Sequence, residues 1–454
     1  MTTYRKARAW TTVAVIGLTA SLAACSSGGT GALGGGGEEG GATKLVIPVN
    51  ESPWLDAYKA LVAQYEEESG VDVELRVFPY DEMRTQVLND IQSGTQIYDV
   101  FQIDEPNLHE FFINGWVAPF SEIDSSFEED PGLNQYADFT RWDADARVSS
   151  PDGEVMVQPL NGNVQLLTYR TDLYEHLGLD VPETWDDVVA NGQVIQDAGA
   201  ANYGYVLRTQ GSTGGSAQIT YDFLPLLYAF DASWFTDEGT DWTPAVTSPE
   251  AIQAATMLRQ LAELGPAETT TIGQAQAIGA MQAGESGQAQ LVAAAAPQLE
   301  SEADSNIVGK VGFAELPAGP GGTHGVASGV WALGVPAGLP DERSQAALDY
   351  IEWMMSKDAQ VAFTELGGIP TRSDVLDVAD IDDSTRAYLE AVQSSLGDVR
   401  PHVRYAFSAE MLTVTEQRLS QIAAGSVTPE EGMAGLQEDL TAIVEEAGYP
   451  MGAS

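Results

Sequence analysis

The chain has 454 residues and carries 67 Asp and Glu against 20 Lys and Arg, a formal net charge of −47 at pH 7. That balance argues against nucleic acid or an anionic lipid surface as a partner, because both recruit basic patches that release counterions. Hydrophobic residues make up 44% of the chain, enough to fill a core, and the length exceeds the roughly 250 to 300 residues that one core serves, so two lobes are expected.

Residues 13–25 read V-A-V-I-G-L-T-A-S-L-A-A-C behind Arg5, Lys6 and Arg8, the charged, then apolar, then small order of a secretory signal over residues 1–24. The run is shorter than the roughly 20 residues a membrane-spanning helix needs. Its ending, Leu22-Ala23-Ala24-Cys25, resembles the lipobox of bacterial lipoproteins, in which the Cys is lipidated and becomes the mature N-terminus. Ordinary signal cleavage beside an incidental Cys is the alternative. Cys25 is the only cysteine, so it has no intramolecular disulfide partner. Residues 25–42 are read as that Cys plus a flexible tether. Nine of the seventeen residues 26–42 are Gly, giving a reach of about 20 to 25 Å. Only five Lys occur in the chain, and so acidic a surface repels itself unless salt screens it. Adaptation to high ionic strength is one reading, a merely well-solvated surface the other.

Residues 44–49 form a β-branched run, with Ser52 and Pro53 placed as cap and first residue of an amphipathic helix over 54–69 that Gly70 stops. A strand at 71–77, a helix at 80–93 and a strand at 99–103 complete β-α-β-α-β, the order of a parallel sheet with helices on both faces. A helix at 107–114 precedes an acidic, turn-rich stretch at 121–151, and strands follow at 154–158 and 164–169. Helices are expected at 171–177 and 186–198, the second with Thr184 and Asp187 as a capping box. A strand at 204–207 leads to the apolar helix 219–230, then helices at 249–264 and 275–283 and strands at 289–293, 311–314 and 329–335. The remainder reads as helical at 341–355, 357–366, 384–395, 408–424 and 429–447.

Several chemistries find no support. His109, His176, His324 and His402 are scattered with no metal-ligand spacing, so no metal site is expected. No phosphate loop, dinucleotide fingerprint or nucleophile elbow occurs, so neither a cofactor nor a catalytic residue is expected. Carboxylate pairs are too abundant here for any two to mark a glycosidase.

Five stretches carry a resemblance. They are Y-D-V-F-Q-I-D-E-P-N-L-H-E-F-F-I-N-G-W-V-A-P-F at 98–120, N-V-Q-L-L-T-Y-R-T-D-L-Y-E-H-L-G-L-D-V-P-E-T-W-D-D-V at 163–188, V-G-K-V-G-F-A-E-L-P-A-G-P-G-G at 308–322, S-G-V-W-A-L-G-V-P at 328–336 and G-G-I-P-T-R at 367–372. In this order, behind a lipobox and tether, the chain resembles the extracellular solute-binding lipoproteins of bacterial ABC importers, in particular the maltose-binding-protein-like carbohydrate-binding family. The resemblance implies an α/β, two-lobed fold, each lobe a mostly parallel sheet flanked by helices and hinged by crossover strands. Lobe 1 would comprise residues 43–163 and 329–378, lobe 2 residues 164–328 and 379–454. It also implies a monomer, lipid-anchored outside the membrane, that captures a sugar or sugar alcohol by closing and delivers it to a permease without covalent chemistry. A secreted carbohydrate hydrolase and a same-fold binder of a non-sugar solute are the rivals.

Ligands of open α/β sheets sit beyond the carboxyl ends of the strands, and sugars need aromatic faces plus paired polar groups. Glu51, Asp104 and Glu105 end the first and third strands, although Asp104 could instead cap the next helix. Tyr80 opens a helix after the second strand, with simple packing as its alternative. Asn163 and Gln165 lie in the first crossover, and Arg208 ends the strand Y-G-Y-V-L-R, with a surface ion pair as its alternative role. By the resemblance, Asp222 and Trp234 flank a second-lobe contact region, Trp331 lies in the return crossover and Arg372 follows the Gly367-Gly368 turn. Trp116, Trp185 and Trp353 are read as packing residues.

Overall fold

A computed structural model describes residues 44–452 apart from 145–147, 212–216, 239 and 268–269, so the signal and Cys25 lie outside the described residues. The chain begins with β1 (Lys44–Asn50), α1 (Leu55–Ser69), β2 (Asp72–Phe78), α2 (Tyr80–Ser93) and β3 (Phe101–Asp104). β1 and β2 pair in parallel from Lys44↔Asp72 to Asn50↔Phe78, as the β-α-β spacing requires. Gly70 ends α1 at φ +74°, its N–H bonded to the Glu66 carbonyl. The start of α1 differs from expectation. The chain makes a turn through Pro53 and Trp54 first, so Ser52 does not cap the helix and its hydroxyl is left buried without a partner.

β4 (Gln158–Asn161) leaves this lobe and β5 (Gln165–Arg170) enters the next. There follow α3 (Trp185–Asp197), α4 (Ile219–Ala229), α5 (Pro249–Glu263), α6 (Gln274–Gln282), β6 (Gln288–Val292) and β7 (Val311–Ala314). The Thr184–Asp187 capping box of α3 is present in both directions. Where a strand was expected at 204–207, the backbone makes only single bridges, Tyr203 to Ser286 and Val206 to Ala289. β8 (Trp331–Gly334) returns to the first lobe, and α7 (Asp341–Met355), α8 (Lys357–Glu365), α9 (Asp383–Ser395), α10 (Ser408–Ala423) and α11 (Pro429–Ala447) complete the chain.

The crossover strands depart from the mostly parallel sheets expected. β8 lies between β3 and β4 and is antiparallel to both, and β5 lies between β6 and β7, again antiparallel. The reason is directional. A strand that re-enters a lobe where another left it must run the opposite way.

Each lobe has its own apolar centre. In the first, Leu45 and Ile47 of β1, Tyr58 of α1, Tyr350 of α7 and Phe363 of α8 are fully buried, and the Tyr58 and Tyr350 hydroxyls share a hydrogen bond of 2.6 Å. In the second, every residue of α4 is buried, with α5 and α10 packed against it. Trp185 sits in that core, and Trp353 packs on Tyr65 and donates to Glu68.

Candidate functional site

The strand ends and crossovers converge on a cleft of about 640 Å³. Asn50, Glu51, Ser52 and Trp54 approach from the end of β1, Tyr80 from the start of α2 and Asp104 from the end of β3. Trp331 is fixed by register, paired with Asp104 on one side and Asn161 on the other. Its ring lies 6.4 Å from that of Trp54 and 6.0 Å from that of Tyr80, so three aromatic rings line one wall. The opposite wall is made of Arg208, Tyr221 and a set of amides, among them Gln210, Gln218, Gln274 and Gln276.

Three neutral polar atoms on these walls, Asn50 Oδ1, Ser52 Oγ and Tyr221 Oη, are buried without a hydrogen-bond partner. Such atoms are rare in native proteins because each costs about 1 to 3 kcal/mol if nothing pairs with it. Gly329 is needed here, since a Cβ at that position would collide with the Tyr221 hydroxyl.

Arg208 of the cleft wall is held by a carboxylate of its own lobe. The Arg208 Nε donates to Asp222 Oδ1 at 2.6 Å, the Arg208 backbone N–H donates to Asp222 Oδ2 at 3.0 Å, and the guanidinium lies over the Tyr221 ring at 5.0 Å. Burial pushes the Asp104 carboxyl up to about 7, although the Tyr80 hydroxyl that donates to it at 2.7 Å pulls the other way. Burial also drives the Tyr80 phenol well above its ordinary range and the His402 imidazole down to about 4, so His402 is neutral. Asp104 makes no cap to the following turn, which removes the capping role as its explanation.

Of the residues singled out from sequence, Glu51, Tyr80, Asp104, Asn163, Arg208 and Trp331 line this cleft. Five others do not. Glu105 points behind it, accepting from the Ser328 hydroxyl at 2.6 Å and the His402 N–H at 3.2 Å. Gln165 is fully buried and donates to Asp222, and Asp222 is itself taken up by Arg208. Trp234 is 2% exposed and borders a different cavity. Arg372 is held by Asp130 at 2.7 Å and Asp374 at 2.9 Å within the first lobe. Trp54, Tyr221, His402 and the glutamines were missed. Trp54 had a signal, since it closely follows the first strand end that pointed to Glu51. Tyr221 is one position from Asp222, and one helical residue turns a side chain by about 100°.

A family profile described as bacterial extracellular solute-binding protein matches residues 51–361. The chain belongs to that family. The matched span takes in every cleft-lining side chain named above except Asn50 and His402. This solute-binding protein is 21% identical to a probable amino-acid ABC transporter periplasmic-binding protein y4oP of Sinorhizobium fredii, over 87% of this chain and 88% of the relative. It is 22% identical to the erythritol/L-threitol-binding protein of Mycolicibacterium smegmatis, over 83% and 82%. Among solved structures, maltose-bound MalE3 of T. maritima matches with a TM-score of 0.76 at 24% identity, covering 88% of this chain and 100% of that one. The two-lobed fold of the solute-binding protein is thus that of its family. Among the described residues no group of three or more His, Cys, Asp or Glu side chains could hold a metal ion, and no helix is long and apolar enough to cross a membrane.

Proposed function

We propose that the protein captures a neutral polyhydroxylated solute, a sugar or sugar alcohol, between its lobes and hands it to the permease of an ABC importer, with no covalent chemistry. The observation that carries this reading is the set of unpartnered neutral atoms, Asn50 Oδ1, Ser52 Oγ and Tyr221 Oη, beside the rings of Trp54, Tyr80 and Trp331. Hydroxyls satisfy such atoms, and the apolar face of a sugar or polyol chain covers the rings. Relatives whose names give erythritol or L-threitol and maltose as ligands support the same class.

An amino acid, as named for the S. fredii relative, would need separate partners for an ammonium and a carboxylate. Arg208 is already paired with Asp222, and the rise in Asp104 works against a fixed negative charge. A hydrolase would use carboxylates facing each other across the scissile bond, whereas the cleft carboxylates Glu51 and Asp104 both belong to the first lobe.

The ligand-contacting residues proposed are Glu51, Tyr80, Asp104, Asn163, Arg208 and Trp331, with Trp54 and Tyr221 added. Lobe boundaries at 163/164, 328/329 and 378/379, a monomeric state and lipid attachment at Cys25 complete the proposal, the lipid holding the binding body beside its permease. A calorimetric screen of polyols, mono- and disaccharides and amino acids tests the ligand class. Binding of a polyol or sugar is expected, and amino-acid binding alone would overturn it. Mass spectrometry of the exported protein tests Cys25, a diacylated N-terminal Cys being expected.

A further inference from the structure

A second cavity of about 640 Å³ adjoins the first, with His402 bordering both. It draws on both lobes, His109 and Ser149 from the first and the bulk of its wall from the second. Its character is different. Where the first cleft sets three rings against a wall of amides, this one clusters its rings together: Trp242 lies 5.3 Å from Tyr405 at 90° and 4.8 Å from Tyr449 at 61°. Trp234, only 2% exposed, borders the cavity and its indole N–H has no partner, an unsatisfied buried donor that nothing in the fold accounts for.

Charge here also runs against the rest of the molecule. The chain has few basic residues, yet Arg400 and Arg404 both line this cavity. Arg400 is exposed, lies 5.3 Å over the Tyr228 ring and makes no ion pair among the described residues. Among the described residues of the wall the one acidic side chain is Glu238, which accepts from the Tyr405 hydroxyl at 2.6 Å and whose pKa is raised, burial being the largest cause.

We propose that this cavity is a second binding site, for a small aromatic carboxylate. The ring seats among Trp242, Tyr405 and Tyr449, where edge-to-face contacts are already set up. The carboxylate is drawn to Arg400, and Trp234 supplies the further donor. The site is separate from the solute cleft in chemistry and in the residues that hold the ligand.

Benzoate is the probe, titrated calorimetrically into the full exported protein with benzyl alcohol as the uncharged control. Benzoate is expected to bind in the millimolar range or tighter, and benzyl alcohol about fivefold or more weakly. Arg400→Gln, at an exposed position, should weaken benzoate about fivefold. Trp234→Phe, which keeps a ring and removes the donor, should weaken it similarly, and Arg400→Gln keeps the test decisive if Trp234→Phe fails to fold. Asp104→Asn, in the first cleft, should leave benzoate binding unchanged. No binding of benzoate, equal binding of benzyl alcohol, an unaltered Arg400→Gln or loss in Asp104→Asn would each overturn the proposal.

Discussion

Tyr80 of the first lobe and Ala217 of the second are joined across the cleft. The Ala217 N–H donates to the Tyr80 hydroxyl at 3.2 Å, and that hydroxyl donates in turn to Asp104 Oδ2 at 2.7 Å. One phenol oxygen thus links the lobes and orients a cleft carboxyl. Tyr80→Phe removes both bonds while keeping the ring beside Trp331, so affinity for the solute should fall about tenfold. Calorimetry reads the affinity, and small-angle scattering of the free protein should show a more open average form. Unchanged affinity would mean that the link is incidental to binding.

Asp104 makes stability depend on pH in a defined window. Its native pKa of about 7 lies above the ordinary carboxylate value, about 4 in the unfolded chain, so between these values the native state holds a proton that the unfolded state has lost. The contribution is complete below about pH 4 and is lost as pH rises through 7. Chemical denaturation across pH 4 to 8 should show wild-type stability declining more steeply than that of Asp104→Asn. Identical slopes would mean that Asp104 is not the titrating group.

Arg372 is held within the first lobe. It donates to Asp374 and to the Met355 carbonyl and pairs with Asp130, and it holds the Asp374 carboxyl down at about 2. Arg372→Ala should cost about 2 kcal/mol of stability with affinity unchanged. Because the native pKa of Asp374 is depressed, the stabilisation it gives is present above about pH 4 and is lost as pH falls toward 2. A loss of affinity greater than the loss of stability would return Arg372 to the site.

Trp331 belongs to both the site and the fold. At 8% exposure it packs on Trp54 and Tyr80 while its backbone pairs with β3 and β4. Trp331→Ala should therefore lower affinity by at least about tenfold and stability by about 3 kcal/mol. Trp331→Phe should recover most of the stability and only part of the affinity. Thermal unfolding and calorimetry of the two variants separate these roles.

With a net charge of −47, the folded chain repels itself at low ionic strength. Melting temperature should rise as NaCl is increased from low concentration toward about 1 M, where the Debye length is about 3 Å. A flat response would mean that local pairing already offsets the repulsion.

Residues at strand ends were legible because topology alone carries them to the cleft. Once β-α-β spacing is recognised, Glu51, Tyr80 and Asp104 must lie at or just past the carboxyl ends of β1, β2 and β3. The Thr184–Asp187 capping box was equally legible, being local hydrogen bonds between near neighbours in the chain. The residues that fall outside the cleft do so where a long-range partner holds the side chain. Asp222 and Gln165 are consumed by a buried network with Arg208, Glu105 by Ser328 and His402, and Arg372 by Asp130. Asp374, two residues from Arg372, is the one local partner among them; nothing else within a few residues of these side chains reveals what holds them.

The sequence by itself determined the two-lobed α/β order and the strand ends that border the cleft, because periodicity and caps act over a few residues. Only the tertiary structure decided that Trp54 and Tyr221 complete the cleft, that Arg208 is neutralised by Asp222 and that a second, ring-lined cavity lies beyond His402. Those features depend on which face each helix buries and on contacts between segments separated by tens to hundreds of residues, and packing sets both.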